Sequence, residues 1–325
     1  MTALEQHILD VIQDAFPLEE RPYQVLADMF SAQGETVSEQ QVFEAVENLR
    51  NAGVIRRIGG VYDSKALGFI SRLCAGKVPT VATGASDDSA LDKFAAAVNA
   101  VPAITHNYVR THEYNVWFTV IAQSEDEIRA VVDKLCAQTD LCDVHVLSVT
   151  KKFKIDTVMK SDERRGSALR QGSGNLPLTE KRELSLSDRA RIRVACTDIP
   201  HTLTPFKDWG VAIEELRDDL AQKRMRRFGA ILRHQQAGFA HNAMVCFDAP
   251  TSAGTALAQN PHVSHCYERP AFEGFPYTLY AMMHAQSSED LQRFINEAAE
   301  SIGNLDYAVL HSVRELKKTS FAFFA

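Results

Sequence analysis

The 325-residue sequence lacks the features that define several specialised classes of protein. Its six cysteines include no Cys-x-x-Cys pair, which argues against a structural zinc site and against a disulfide scaffold. No apolar run reaches the roughly 18 residues of a transmembrane helix, and the acidic N-terminus has no basic signal-peptide segment. Neither a P-loop nor a GxGxxG fingerprint is present. These absences, with 45% hydrophobic and 24% charged residues, predict a soluble cytoplasmic protein of two domains or repeats, with no membrane partner and no metal site.

An internal repeat runs through the whole chain. The segment Ile55–Gly59 (Ile-Arg-Arg-Ile-Gly) recurs 170 residues later as Met225–Gly229 (Met-Arg-Arg-Phe-Gly). A Gly-Phe pair follows both copies at the same spacing, and Thr105–Arg110 is echoed by Ser264–Arg269. An aromatic-rich segment comes after each of these. Three matches in the same order predict a tandem duplication.

The first half begins with the pattern of a winged helix-turn-helix. Apolar residues recur at helical spacing over Leu4–Phe16, and a second short helix is predicted after it. Ser38, with Gln41 three residues on, predicts the capped start of a third helix, and Gly53 lies where its C-cap is expected. An alternating strand over 55–62 follows. The equivalent part of the second half is shorter.

The remainder of each half alternates between strand and helix in the order βαββαβ, which is typical of a ferredoxin-like domain. The predicted strands are 66–75, 103–110, 114–122 and 143–150 in the first half, and 238–248, 262–269, 276–284 and 305–313 in the second. The predicted fold class is α+β, a tandem duplication of a winged helix-turn-helix plus a ferredoxin-like domain. Its predicted parts are a winged helix-turn-helix over 1–60, a ferredoxin-like domain over 61–154, a flexible linker over 155–183, a helix-turn-helix-like segment over 184–229 and a ferredoxin-like domain over 230–325.

The charge of the helix-turn-helix argues against DNA as a partner. Residues 1–53 contain ten acids and two arginines, and the candidate recognition helix presents Glu39, Glu44 and Glu47 against Arg50 alone. DNA readers need Lys and Arg to neutralise phosphates. We therefore expect a structural or dimerising role for this module and no DNA partner.

Two strands carry the side chains best suited to chemistry. His106, Tyr108 and Arg110 alternate along the first, so they point to one face of a sheet. The second copy repeats this pattern in the residues His265, Tyr267 and Arg269. A solvated outer strand face is the alternative interpretation, although its occurrence in both copies favours a site. Further candidates lie near the repeats: Arg56, Arg57, Arg226 and Arg227 in the Arg-Arg segments, Lys65 and His234 after them, and His112 after the first alternating strand.

These residue types together suit a large, flat ligand with several carboxylates. An arginine binds a carboxylate through two parallel hydrogen bonds, a histidine transfers protons or ligates iron, and a tyrosine stacks or donates.

The same motifs resemble those of the siroheme decarboxylases. Arg56–Gly60 and Thr105–Thr119 resemble one subunit type, and Arg226–Phe239 with Val263–Pro270 resemble the partner subunit. The resemblance spans the chain apart from the linker and implies the fused form of the family. The fold it implies is that of the Lrp/AsnC transcription regulators, with the two halves pairing inside one chain and a further homodimer left open.

The reaction implied by the resemblance is the loss of two acetate carboxyls of siroheme as carbon dioxide, giving didecarboxysiroheme for heme d1 or for ordinary heme. It implies no cofactor beyond this iron tetrapyrrole substrate. The six arginines are then expected to clamp carboxylates. His106 or His265 would protonate the product carbon, with Tyr108 and Tyr267 as orienting donors or alternative acids. Of the two pockets, the one lined by His265, Tyr267 and Arg269 is favoured. The alternatives are a non-catalytic tetrapyrrole carrier and a heme-responsive transcription regulator.

Overall fold

The computed structural model describes residues 1–34, 36–79, 89–139, 143–155, 183–207, 209–233, 241–319 and 321–324. Its helices are α1 (Ala3–Ile12), α2 (Pro22–Ala32), α3 (Glu39–Asn51), α4 (Ser89–Asn99), α5 (Glu125–Thr139), α6 (Leu186–Ala195), α7 (Ile213–Ala221), α8 (Ala253–Gln259) and α9 (Ser288–Ser301). Its strands are β1 (Ile55–Tyr62), β2 (Ile70–Gly76), β3 (Ile104–Arg110), β4 (Val116–Ala122), β5 (Val144–Leu147), β6 (Lys151–Ile155), β7 (Met225–Leu232), β8 (His241–Phe247), β9 (Val263–Glu268), β10 (Leu279–Ala285) and β11 (Tyr307–Lys318). None of the helices within these ranges combines the length and apolar character that crossing a bilayer requires.

These elements form two compact units, and each takes segments from both halves of the duplication. The first unit comprises the described residues of 1–67, 158–238 and 322–325, and the second those of 68–157 and 239–321. The structure corrects the boundaries predicted after residues 60 and 229, because both fall inside β1 and β7, which pair with each other along their whole length. The predicted linker also starts too early, since β6 includes residue 155, and residues 156–182 lie outside the described ranges.

The first unit contains the predicted helix-turn-helix elements. Ser38 caps α3 by accepting from the backbone of Gln41, whose side chain reaches back to Ser38, and Gly53 follows the helix with a φ of 72°. Both signals are confirmed. Helix α1 is shorter than the predicted 4–16, because the Phe16 N–H donates to the backbone oxygen of Phe228 at 2.8 Å and leaves the helical ladder.

The second unit is built on one nine-stranded sheet in the order β5-β2-β4-β3-β11-β8-β10-β9-β6. Within it, β5-β2-β4-β3 and β11-β8-β10-β9 are two copies of the ferredoxin-like strand order. Strand β11 joins them, since residues 307–311 pair with β8 and residues 312–318 pair with β3. At the other ends of the two copies, β5 pairs with β2 and β6 pairs with β9. The stretch of chain that contains β5 and β6 therefore also connects the two copies. The predicted strand 143–150 is therefore the shorter strand β5, a second strand β6 follows it outside the predicted range, and the last strand is longer than predicted.

Each face of this sheet has its own core. Phe94, Phe118 and Ile128 lie in the cluster between the first-half strands and α4 and α5. Their counterparts against α8 and α9 include Phe247 and Phe294. The opposite faces of the two copies meet in a third cluster, which mixes residues of both halves: Ala75, Tyr114, Trp117, Leu147, Met244, Cys246, Phe275, Tyr280 and Leu310. The face that carries this mixed cluster is called the inner face below.

One buried amide in the helix-facing core offers a test of the packing. Asn107 is fully buried opposite Phe118, and neither of its side-chain polar atoms has a partner among the described residues. Its counterpart in the second half is Cys266. Because an unpaired buried polar group costs roughly 1–3 kcal/mol, we expect Asn107→Cys to raise the free energy of unfolding by about 1 kcal/mol in urea titrations.

The matched control makes the same chemical change at a paired amide. Asn115 accepts from the Val78 N–H at 2.9 Å and donates to the Val78 oxygen at 2.8 Å. Asn115→Cys leaves both backbone groups of Val78 without these bonds, so we expect it to lower the free energy of unfolding. Destabilisation by both variants would show that the Asn107 amide makes favourable interactions in the folded protein.

Candidate active site

Two arginines at the ends of equivalent strands are buried on the inner face. Arg110 ends β3 and is 5% exposed, and Arg269 directly follows β9 and is 8% exposed. Arg110 Nη1 donates to the backbone oxygen of Leu310 at 3.0 Å and to Ser312 Oγ at 3.1 Å. Arg269 Nη1 donates to the backbone oxygen of Leu147 at 2.7 Å. Each arginine therefore reaches from its own half to the other half of the sheet.

The positive charges of these two groups are not balanced by acids. Within the described ranges, neither guanidinium forms an ion pair with Asp or Glu. Burial lowers the pKa of Arg110 to about 10, and it also lowers the pKa of Arg269. At neutral pH both side chains are still cationic. Because a buried charge without a counter-ion is costly, this pair is suited to receive anionic groups of a ligand.

The neighbouring tyrosines and histidines lie on the same inner face and are half-buried. The Arg110 guanidinium lies 5.1 Å from the ring centre of Tyr108, and that of Arg269 lies 5.3 Å from Tyr267. The rings of His265 and Tyr267 are stacked with centres 6.3 Å apart. The side chains alternate along both strands as predicted, with the two arginines buried and the tyrosines and histidines half-buried.

Each catalytic histidine candidate contacts a hydroxyl one residue before it in the chain. His106 Nδ1 is 2.9 Å from Thr105 Oγ1, and His265 Nδ1 is 3.0 Å from Ser264 Oγ. These contacts orient the two rings. A histidine held in this way can deliver a proton to a group bound beside it.

The second arginine of each Arg-Arg repeat has a structural role in the first unit. Arg57 donates to the Gly60 oxygen at 3.2 Å, and burial lowers the pKa of Arg57 to about 10. Arg227 donates to the Ala230 oxygen at 3.1 Å and to the oxygen of Gln13, the C-cap of α1. A cation at a helix C-terminus is favourable. These contacts hold the β1–β7 ribbon.

The glycines of the repeat permit the same close packing. Gly59 and Gly229 pair at the centre of the ribbon. A Cβ at Gly59 would collide with the backbone oxygen of Thr197, and one at Gly229 with that of Ile12. A glycine is therefore needed two residues after the arginine in each repeat, because backbone at or just after the end of a helix packs closely against the ribbon at that position.

The remaining predicted residues are dispersed. Arg56 is half-buried on β1, and Arg226 is exposed and donates to the Tyr62 oxygen at 3.3 Å, both in the first unit. Lys65 is exposed there. His112 lies in the second unit, where its Nδ1 accepts from the Tyr114 N–H at 3.0 Å and burial lowers its pKa. His234 lies outside the described residues. Carboxylate binding by these side chains stays a prediction.

Several polar residues of the inner face carry no signal in the repeat motifs. Ser312 lies beside Arg110, and its hydroxyl is 2.7 Å from Asn242 Oδ1. Met282 Sδ is 3.8 Å from Arg110 Nη2, and His284 is buried two residues further along β10. These residues come from three strands, so only the sheet order brings them together.

A family model described as the AsnC-like ligand binding domain matches residues 66–154 and 236–317. A second model, the siroheme decarboxylase NirDL-like HTH domain, matches residues 5–56. The siroheme decarboxylase of Hydrogenobacter thermophilus is 32% identical to this chain, over 98% of this chain and 94% of the relative. The chain belongs to the siroheme decarboxylase family.

Other members of the family show how its two halves are distributed. The siroheme decarboxylase alpha subunit of Desulfovibrio desulfuricans is 39% identical over 50% of this chain and 86% of the subunit. The crystal structure of the siroheme decarboxylase NirDL in complex with an iron-uroporphyrin III analogue is 28% identical, with a TM-score of 0.66 over 98% of this chain and 93% of that chain. The alpha subunit therefore corresponds to about half of this chain, in agreement with the duplication.

Proposed function

We propose that this protein is a carboxy-lyase that removes two acetate carboxyls of siroheme as carbon dioxide and yields didecarboxysiroheme. The observation that carries the proposal is the pair of buried arginines on the inner face, which form no ion pair with acids of the described ranges. Each lies beside a tyrosine and four residues after a histidine. The family of the chain and the relative solved with an iron-uroporphyrin III analogue support a tetrapyrrole with several carboxylates as the ligand.

In this proposal each group has its own task. Arg110 and Arg269 bind carboxylates of the macrocycle and hold it on the inner face. In each decarboxylation the bond between the acetate methylene and its carboxylate carbon breaks, carbon dioxide leaves, and the electron pair stays on the methylene carbon. That carbon takes one proton and becomes a methyl group. His265 or His106 supplies the proton, and Tyr267 or Tyr108 orients the substrate.

No redox step and no resident cofactor enter this scheme. The iron belongs to the substrate, and the electrons of the broken bond remain in the product. A less solvated carboxylate loses carbon dioxide more readily, because its charge spreads into the ring as the bond breaks. The buried position of both arginines supports such an environment.

The proposed partners are the substrate and product, with the two halves acting as a pseudo-dimer within the second unit. A further homodimer stays a prediction. The absence of a DNA partner is also proposed, and it is supported by the exposed residues of α3, which include Gln40, Glu44 and Asn48 and no basic side chain between residues 39 and 49.

The decisive experiment is anaerobic incubation of the purified protein with siroheme, followed by mass spectrometry of the extracted tetrapyrrole. We expect a loss of two carbon dioxide units relative to siroheme incubated without protein. A shifted absorption band without a mass change would instead favour the tetrapyrrole carrier. Binding that changes affinity for DNA would favour the regulator.

A further inference from the structure

The inner face has an approximate two-fold symmetry that relates its two buried arginines. Arg110 binds the backbone oxygen of Leu310, and Arg269 binds that of Leu147. Leu310 pairs with Met244 on β8, and Leu147 pairs with Leu73 on β2, at matching places in the two sheet copies. The surroundings of the two guanidiniums can therefore be compared position by position.

A chain of hydrogen bonds fixes the Arg110 guanidinium. Its Nη1 donates to Ser312 Oγ at 3.1 Å, and the Ser312 hydroxyl in turn donates to Asn242 Oδ1 at 2.7 Å. Two residues of the second half thus hold an arginine of the first half. A guanidinium with a fixed plane binds a carboxylate in one orientation, which a freely rotating one does not.

The same guanidinium approaches a methionine of the other half that is paired with a histidine. Arg110 Nη2 is 3.8 Å from Met282 Sδ, and Met282 pairs with His265 across β9 and β10. Paired side chains on one face of antiparallel strands lie about 5 Å apart at Cβ. Arg110 and His265 therefore both approach Met282. His284, which is 7% exposed and pairs with Asn242, adds a second imidazole to this region.

The equivalent positions around Arg269 hold different residues. Ser71 and Ile121 pair across β2 and β4 as Asn242 and His284 pair across β8 and β10. Val149 follows Leu147 by two residues, as Ser312 follows Leu310, and is the counterpart of Ser312 in the repeat. Val149 has no hydroxyl, so the hydrogen-bond chain cannot form there. Arg269 instead lies between the rings of Tyr267 and Tyr280, 5.3 and 5.8 Å from their centres.

We propose that the two pockets differ in function, and that only the pocket of Arg110 and His265 carries out the decarboxylations. Ser312 and Asn242 are positioning residues that fix the Arg110 guanidinium, and the pocket of Arg269 holds carboxylates that do not react. This inference rests on the proposed function. It keeps His265 as the favoured histidine but separates it from Arg269, which lies four residues further along the chain.

The test exchanges residues between the pockets. Ser312→Val introduces the residue of the other pocket, and we expect it to lower kcat for carbon dioxide release by about ten-fold or more, with KM changed by less than three-fold. Both decarboxylations slow together, because both occur in the same pocket. Ser312→Thr keeps the hydroxyl and restores the rate, which separates positioning of Arg110 from a packing defect.

The matched control is Val313→Ser at the neighbouring position of β11, which is 64% exposed and lies outside the residues placed around either arginine, so it is expected to keep the wild-type rate. Accumulation of monodecarboxysiroheme by Ser312→Val at the wild-type rate would mean that the Arg269 pocket removes one carboxyl, and the inference would be wrong. Unchanged release of both carboxyls would also overturn it. If the wild-type protein releases no carbon dioxide from siroheme, the proposed function itself fails and the inference falls with it.

Discussion

Replacing Arg110 by methionine is expected to lower turnover of siroheme by about 10²–10³-fold and at the same time to stabilise the protein. The loss of turnover follows from the removal of a fixed cationic donor from a buried site, where such donors have effects of this size. The gain in stability follows from the environment of the side chain, which has no acidic partner among the described residues and lies between Met282, Tyr108 and Cys246.

The stability change is expected to be roughly 1–4 kcal/mol, as when buried ionic groups are replaced by apolar side chains of similar size. Urea titrations and carbon dioxide release are measured on the same preparations. Arg50→Met is the matched control for stability, since Arg50 is equally buried but pairs with Asp198 at 2.7 Å and with Glu47 at 3.3 Å. We expect that control to be destabilised. If Arg110→Met were destabilised to a similar extent, the Arg110 charge would have to be balanced within the free protein.

Local signals predicted those parts of the fold that depend on neighbours in the chain. The Ser38 cap, the helix that follows it and the left-handed Gly53 all rest on residues within one or two turns. The inward orientation of His106, Tyr108 and Arg110 follows from the period of two along a strand, and the repeat made the second copy equally predictable. For these elements a short window of sequence contains the determining interactions.

The parts that the sequence did not predict depend on the order of strands in the sheet. Ser312 and Asn242 meet Arg110 because β11 crosses from β8 to β3, and no motif near residue 110 indicates this. Arg57 and Arg227 looked equivalent to Arg110 by residue type, but they lie in the other unit, where they bind backbone oxygens of the β1–β7 ribbon. The chemistry of an arginine is set by its partners, which only the three-dimensional structure supplies.

The boundaries of β11 show the same dependence. The sequence predicted a final strand over 305–313, as expected for the last strand of one ferredoxin-like copy. The strand instead continues to residue 318 along β3. The additional pairing holds the two copies of the sheet together and brings Ser312 to the inner face. Ser312 therefore lies at the point where the two copies are joined.

Replacing His265 by glutamine is expected to lower kcat by about 10²–10⁴-fold, the usual range for a general acid, while siroheme binding changes little. Glutamine fills a similar volume and can keep a hydrogen bond to Ser264 Oγ, which is 3.0 Å from His265 Nδ1, but it cannot deliver a proton at neutral pH. Binding is measured from the absorption band of siroheme, and turnover from the mass of the extracted product.

The equivalent variant in the first half is the matched comparison. His106→Gln removes an imidazole with the same hydroxyl contact, 2.9 Å from Thr105 Oγ1, on a strand of the same pattern. We expect it to cause a much smaller loss of kcat than His265→Gln, because Arg110 approaches Met282, the partner of His265, and not the residue paired with His106. Equal losses in both variants would assign one decarboxylation to each pocket. Full turnover in both would exclude these histidines as the source of the proton.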